Sequence, residues 1–431
     1  MDKLSSPQQL NAIFSRGRSM LQKGLAGEFV FFATSTLLYQ GSRLVVSLIV
    51  AAWIGPELFG TWNVFNLVLI YGAITLLGVP NGMNRQVPML RGSGDNLGAS
   101  HIADTSFWFS LVASVLSGLL LYALLPIFGL ISQNTSRLWY AILFTLWQFY
   151  QYQQMRLKSA TRFQQMSAQQ CIFALLLPLV VLPASWYGGL SGFIAGQAVT
   201  VLLICIYIAH IDPPGYPTWD NLALSSLINI GWSIMVAGLL YSVLTSIDRW
   251  IIVQALGTEV LGHYTLAIIS TSSLQLFPAV ISQQLYPRMA YQYGKSQSIK
   301  SLIPLIRQQT LVTAAISLPP LVCTAIILPY IANTWLIDYL PGVIPAQILL
   351  IGLAIMSLTG GAGNFLNTVG LQRVYLTLQA MAIVVSIVLC FLFLQFDYSL
   401  NSIAFGTVGS YIFYCGALWI TIYSKLRGTS S

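Results

Sequence analysis

Charge is what this sequence has least of. Of its 431 residues only 7% are Asp, Glu, Lys or Arg, against about 25% in a soluble domain. That shortage excludes a water-soluble globular protein. Acidic groups are scarcer still, 11 in all, and none stand as paired carboxylates; no nucleophile has a plausible base nearby and no glycine loop could cradle phosphate. The chain thus lacks the parts of an enzyme. Cysteine is sparse and odd in number: Cys171, Cys205, Cys323, Cys390 and Cys415 sit singly in apolar stretches without a Cys-x-x-Cys pair, which speaks against a disulfide framework or a thiolate metal site. His101, His210 and His263 are far apart and show no metal-ligand spacing. Residues 1–26 lack the continuous apolar core of a secretory signal peptide, so none is expected. No cofactor is expected either.

Apolar residues, by contrast, make up 56% of the chain, and runs long enough to cross a bilayer recur throughout. This is the pattern of a polytopic, all-α membrane protein. A net charge of +8 would suit a nucleic-acid partner, but the basic residues avoid the apolar runs and gather in alternate loops. All of the 19 lysines and arginines except Arg43, Arg137 and Arg249 fall on one set of connections. Positive charge of that distribution marks the cytoplasmic side, and it places both termini there. No nucleic acid is expected.

Twelve spans are expected near 28–51, 61–82, 105–129, 138–156, 168–187, 189–209, 227–251, 262–286, 308–331, 343–368, 374–396 and 401–424. Residues 1–26 precede them as a cytoplasmic amphipathic segment, with Leu10, Ile13, Phe14, Gly17 and Leu21 at helical spacing. Asp212-Pro213-Pro214-Gly215-Tyr216-Pro217 cannot be helical. It marks a linker at 211–224 between an N-terminal six-helix lobe (27–210) and a C-terminal one (225–424), followed by a tail at 425–431. An even number of spans in each lobe makes the two lobes parallel in the membrane, as in transporters built from parallel repeats. Gly188, Gly192 and Gly196 should let two helices approach closely. Gly360-Gly361-Ala362-Gly363 should interrupt the tenth span, and Pro319-Pro320 the ninth.

The lobes repeat at the level of residues. Ile54-Gly55-Pro56-Glu57-Leu58-Phe59-Gly60-Thr61-Trp62 recurs as Leu256-Gly257-Thr258-Glu259-Val260-Leu261-Gly262-His263-Tyr264, at a constant offset of 202. Each copy lies between apolar runs and reads as a hairpin. Glycine takes the left-handed conformation that closes a helix; Pro56 or Thr258 opens the next, with a glutamate at its positive dipole end.

Charges inside spans are costly, and each is a functional candidate. Arg43 lies about 22 Å along the first span at 1.5 Å per residue. Asp248-Arg249 lies at a comparable depth in the seventh span, the first helix of the second lobe. Each lobe thus offers an arginine from its leading helix, and guanidinium suits phosphate. Arg85 and Arg288 stand just beyond the inner ends of the second and eighth spans, where they could attract an anionic headgroup. Glu28, at the inner end of the first span, is placed to pair with one of them at this cytoplasmic entrance.

The runs Ile54–Gly60, Leu77-Gly78-Val79-Pro80-Asn81-Gly82-Met83-Asn84-Arg85 and Asp248-Arg249-Trp250-Ile251-Ile252 resemble those of bacterial Wzx-type polysaccharide (O-antigen) flippases. These belong to the multidrug/oligosaccharidyl-lipid/polysaccharide exporter superfamily. The resemblance is strongest over 40–95 and 245–295. It implies a MATE-like fold in the inner membrane that moves a polyprenyl-diphosphate-linked oligosaccharide between leaflets by alternating access, for exopolysaccharide or lipopolysaccharide assembly. The partners it implies are that lipid, membrane lipids and other polysaccharide-assembly membrane proteins. Arg43 and Asp248-Arg249 match the basic cavity around the diphosphate.

Two alternatives remain open at this point. A cation-coupled multidrug exporter of the same superfamily would use an acidic residue deep in a span, with H+ or Na+ coupling; here the deepest charge is Arg43. A membrane-embedded glycan polymerase or ligase would need a sizeable outer loop bearing catalytic groups, and the segment around Asn333–Pro341 is too short for that. A lipid II flippase has fourteen spans.

Overall fold

The computed structural model describes residues 7–126, 137–296 and 298–428, with side chains from Phe31 onward other than those of 276, 279, 280, 283, 284 and 287. Among these residues the fold is all helical. Its α-helices are α1 (Pro7–Tyr71), α2 (Val79–Gly92), α3 (Asn96–Leu124), α4 (Arg137–Ser159), α5 (Phe163–Ile211), α6 (Asn221–Leu244), α7 (Ile247–Ala255), α8 (Thr258–His263), α9 (Thr265–Leu274), α10 (Leu276–Ser296), α11 (Ile303–Trp335), α12 (Val343–Ser357), α13 (Gly360–Thr368), α14 (Gln372–Phe396) and α15 (Leu400–Gly428).

Among the described residues, eight helical segments are long and apolar enough to cross a membrane. Two of these reverse direction midway. In α1 the reversal is at Gly55, at φ 76°, so that Arg43 and Ser47 face Asn63 and Asn66 across one cleft. In α5 it is at Gly189, and a Cβ on Gly192 or Gly196 would abut Ala184 or Val181. At Gly192 and Gly196 the small-residue spacing serves close antiparallel packing, whereas Gly188 has open space beside it. With α4 and the α8–α10 run, these segments account for twelve passes. Leu116, Leu119, Leu179, Ile326, Val384 and Val388 are exposed, as expected of surface that faces lipid.

Several breaks differ from the sequence-based expectation. The seventh span is not continuous: it stops at Leu244 and resumes at Ile247, just before Asp248-Arg249. The second span is broken by a 3-10 turn at Gly72–Leu76 and by left-handed Leu77 and Gly78. The tenth is interrupted at Leu358–Thr359, one step before the glycine cluster, which lies inside α13. Pro319-Pro320 do not break the ninth span, and α11 continues through them. The helical backbone of α1 runs unbroken from Pro7 to Gly55.

The cores explain how the lobes sit. One core runs through the N-terminal lobe and crosses to the other through Phe59, Trp62, Leu261, Tyr264 and Tyr339, all near the Gly-x-Glu hairpins. Two further cores lie away from the hairpins. One belongs to the second lobe, with Leu302, Phe365 and Tyr414. The other, with Val79, Met83 and Phe107, belongs to the first but takes in Leu227 of α6, with Leu224 and Ile228 packed against it. The lobes thus meet at the hairpins and again along α2 and α6, where Gly78 packs on Gly231 and Gly82 on Leu227, and a cleft remains between these contacts.

Candidate functional site

The hairpin end of this cleft is closed by the sequence repeat itself. Gly60 lies against the backbone of Thr258, and Gly262 against that of Pro56, so closely that a Cβ on either would collide with a carbonyl oxygen. Here glycine is required for approach. At Gly55 and Gly257, with φ 76° and 94°, it is required for the turn. Behind the hairpins, Asn63 donates to Thr265 Oγ1 at 2.8 Å and the Tyr339 hydroxyl donates to the Ala51 carbonyl at 2.9 Å, both buried. Read from sequence alone, the motif marks two hairpins and no contact between them. The contact between its two copies is tertiary and leaves no local signal.

Below this closure lies a cavity of about 490 Å³ between the lobes. Arg43 reaches it from α1 and Arg249 from α7, so the two arginines singled out by their depth line one space. The wall between them is uncharged, with Gln40, Ser47, Asn66, Gln151, Thr245 and Gln275 among its residues; no carboxylate lines it among the described residues.

Aromatic rings hold Arg43. Its guanidinium carbon lies 5.6 Å from the ring centre of Tyr39, one turn earlier on α1, and 5.7 Å from that of Trp147 on α4. Such stacking fixes a guanidinium while leaving its N–H edge free. Among the described residues Arg43 has no ion pair. Arg249 is buried, and its Nε has no hydrogen-bond partner. A buried guanidinium with an open donor is a strong attractor for an anion.

The break at Thr245–Ser246 positions Arg249. Thr245 and Ser246 hydroxyls bond back to the carbonyls of Tyr241 and Ser242, a competition with the helix ladder that Ser and Thr offer. Tyr71 of the other lobe then reaches Ser246 Oγ at 2.6 Å, and its ring stacks on Trp250 at 6.5 Å. The α7 segment is thereby tied to the second span.

Asp248, unlike its neighbour, does not line the central cavity. Its Oδ2 accepts a 2.8 Å hydrogen bond from Tyr264 in the interior of the second lobe. It lines a pocket of about 10 Å³ together with Arg249, Tyr411 and Met356, room for about one water. Consecutive helical residues face different ways, and Asp248 makes no ion pair with Arg249 among the described residues. Arg85 and Arg288 are exposed on α2 and α10, and neither lines the cavities described here. Glu28 falls on α1, but its side chain lies outside the described residues.

Two further cavities adjoin the central one. One of about 370 Å³ is walled largely by apolar groups, among them Ile74, Leu76, Met155, Met166, Ile234 and Met235, and reaches Lys158. The other, of about 500 Å³, lies in the second lobe and is lined by amides and hydroxyls. The sequence did not reveal it, because its residues are neutral and scattered from α6 to α14.

A family model described as "polysaccharide biosynthesis protein" matches residues 96–339. The chain belongs to that family. A search of curated protein sequences returned no match. Solved structures share the fold. An inward-facing multidrug resistance MATE family transporter of the MOP superfamily aligns with a TM-score of 0.77 at 16% identity, over 92% of this chain and 96% of that one. An outward-facing structure of such a transporter gives 0.65 at 13% identity, over 93% and 96%. A MOP superfamily transporter from Pyrococcus furiosus, described as having a binding pocket of reverse polarity that suggests a different function, gives 0.68 at 13% identity, over 94% and 96%. This polysaccharide biosynthesis protein is thus an all-helical, multi-pass membrane protein of MATE-type fold.

Proposed function

We propose that the protein is a flippase that carries a polyprenyl-diphosphate-linked oligosaccharide from the inner to the outer leaflet of the bacterial inner membrane. One observation carries this reading: Arg43 and Arg249, from opposite lobes, line a single cavity whose described wall holds no carboxylate. Two guanidinium groups suit a diphosphate, which accepts paired N–H bonds. A cationic drug would meet repulsion in the same place. Family membership supports a glycan-bearing substrate. The Pyrococcus furiosus transporter is a precedent for this fold with a binding pocket of altered polarity.

With the positive-inside assignment, the closed hairpin end is the periplasmic end and the cavities reach toward the cytoplasm. This is the state that would load substrate from the inner leaflet. Rocking the lobes apart at the hairpins would then release it outside. Should an H+ or Na+ gradient drive the cycle, Asp248 is the group to receive the ion, being the only buried Asp or Glu among the described residues.

The test is complementation. Strains deleted for their own flippase and making different surface glycans should regain surface glycan for the matching structure when this protein is expressed. Arg43→Gln should reach the membrane in normal amounts and restore none. Failure to restore any glycan, together with export of cationic dyes, would instead establish the multidrug reading.

A further inference from the structure

The cavity in the second lobe has its own chemistry. It measures about 500 Å³ and shares Tyr241, Ser272 and Gln275 with the central cavity, so the two adjoin. Its volume falls within the range of small-molecule sites, roughly 300–1,000 Å³. Among the described residues no charged side chain lines it; the wall carries Gln275, Ser357, Thr359, Asn364, Asn367 and Tyr375.

Part of this polar surface is accounted for by the fold. Asn364 donates to the Ser282 carbonyl and hydroxyl and to Gln309 Oε1, at 3.2, 2.9 and 3.2 Å. Ser357 and Thr359 bond back to Ala354 and Met356 carbonyls at the break in the tenth span. Gln275 and Asn367 are different. Both are half-buried on the cavity wall, and within the protein neither side chain takes a hydrogen bond among the described residues. Carboxamides without partners are costly at membrane depth. Each offers both donors and an acceptor.

We infer that this cavity is the binding site for the uncharged sugar next to the diphosphate, an inference that rests on the flippase reading. Sugar hydroxyls and N-acetyl groups are donors and acceptors at once, which is what free carboxamides match. The ring of Tyr375 supplies an apolar face beside them. A phosphate would be drawn instead to the two arginines, and an apolar drug would leave Gln275 and Asn367 unpaired. The ligand is thus divided: charge lies between the lobes and the neutral sugar lies in the second lobe.

The experiment measures binding to the full chain in nanodiscs with two probes, polyprenyl diphosphate and the same lipid bearing one N-acetylhexosamine. The sugar should tighten binding about tenfold, as one or two neutral hydrogen bonds supply. Asn367→Leu and Gln275→Leu, close in size to the native residues, should each remove most of that gain. Asn367→Leu should bind the bare lipid as the native protein does, which also shows that it is folded. If the native protein binds the bare lipid and the sugar adds nothing, or if the gain survives both substitutions, the sugar site is overturned while the flippase reading stands. If neither lipid binds the native protein, the flippase reading falls and this inference with it.

Discussion

Asn63 donates a 2.8 Å hydrogen bond to Thr265, a residue 202 positions away, and 202 is the offset at which the two hairpins repeat. The bond joins equivalent positions of the two lobes, so it lies at the pseudo-twofold axis relating them. Gly60 and Gly262, also 202 apart, make reciprocal backbone contacts beside it. A seal formed by the repeat against itself can open symmetrically, with both lobes losing the same contacts.

Adding one methyl group to this seal should therefore open it. In Gly262→Ala the new Cβ would meet the Pro56 carbonyl, and overpacking of this kind costs about 1–3 kcal/mol. The cost falls only on the closed state, so the open population should rise by roughly 5- to 150-fold. A single cysteine at Asn66, on the wall of the central cavity, should react faster with an impermeant thiol reagent added from the hairpin side. An unchanged rate would show that the hairpins are not the gate.

The sidedness of that gate is open to direct measurement. Single cysteines at Glu57 and Glu259, both exposed at the hairpins, should be labelled by an impermeant reagent in intact cells whose outer membrane is permeabilised. Cysteines at Lys158 and Lys295 should be labelled only after lysis. Equal labelling of Glu57 and Lys158 would overturn the orientation read from lysine and arginine placement.

Much of this was legible because it is written in short-range chemistry. Gly55 and Gly257 announce turns, and Arg43 and Arg249 announce themselves by their charge in apolar runs. The break at Thr245–Ser246 was not legible, since it carries no glycine or proline and depends on hydroxyls that bond back onto their own helix. Pro319-Pro320 misled in the opposite sense, because α11 continues despite the lost backbone donors. Asp248 and Arg249 read as one pair, and both line the small pocket of the second lobe, but only Arg249 also lines the cleft. Gln275 and Asn367 give no sequence signal at all; only the tertiary fold makes them neighbours.

The linker between lobes is anchored to the first lobe by a charge network. Arg156 Nε lies 2.8 Å from Asp212 and its Nη2 3.7 Å from Asp104, with Arg162 also 2.9 Å from Asp212. The Gly215 N–H donates to Asp104 at 3.1 Å. The Arg156 and Asp212 side chains are only 10% and 11% exposed. Removing one partner from so buried a network leaves the others uncompensated, at about 3–5 kcal/mol. Arg156→Met should lower the melting temperature in detergent by several degrees and should impair transport more than binding, since the linker sets where α6 begins. Arg156→Lys should keep part of the stability. If Arg156→Met melts like the native protein, the network is not what anchors the linker.

The two arginines of the central cavity allow the sharpest test, because they belong to different lobes. If both grip one anionic group, replacing either with glutamine should lose most of the transport, and replacing both should lose little more. Residues sharing a partner couple by about 0.5–3 kcal/mol, whereas independent sites add within about 0.5 kcal/mol. Arg43→Lys should retain part of the activity, since the charge stays and the two-pronged fork is lost. Trp147→Ala supplies a separate check: it removes one of the two rings flanking Arg43, worth about 1 kcal/mol, and should weaken lipid binding about fivefold without touching Arg249. Additive losses from Arg43→Gln and Arg249→Gln would mean that the two arginines act on different groups. In that event the diphosphate would rest on one lobe alone, and the rocking of the lobes would carry it rather than hand it across.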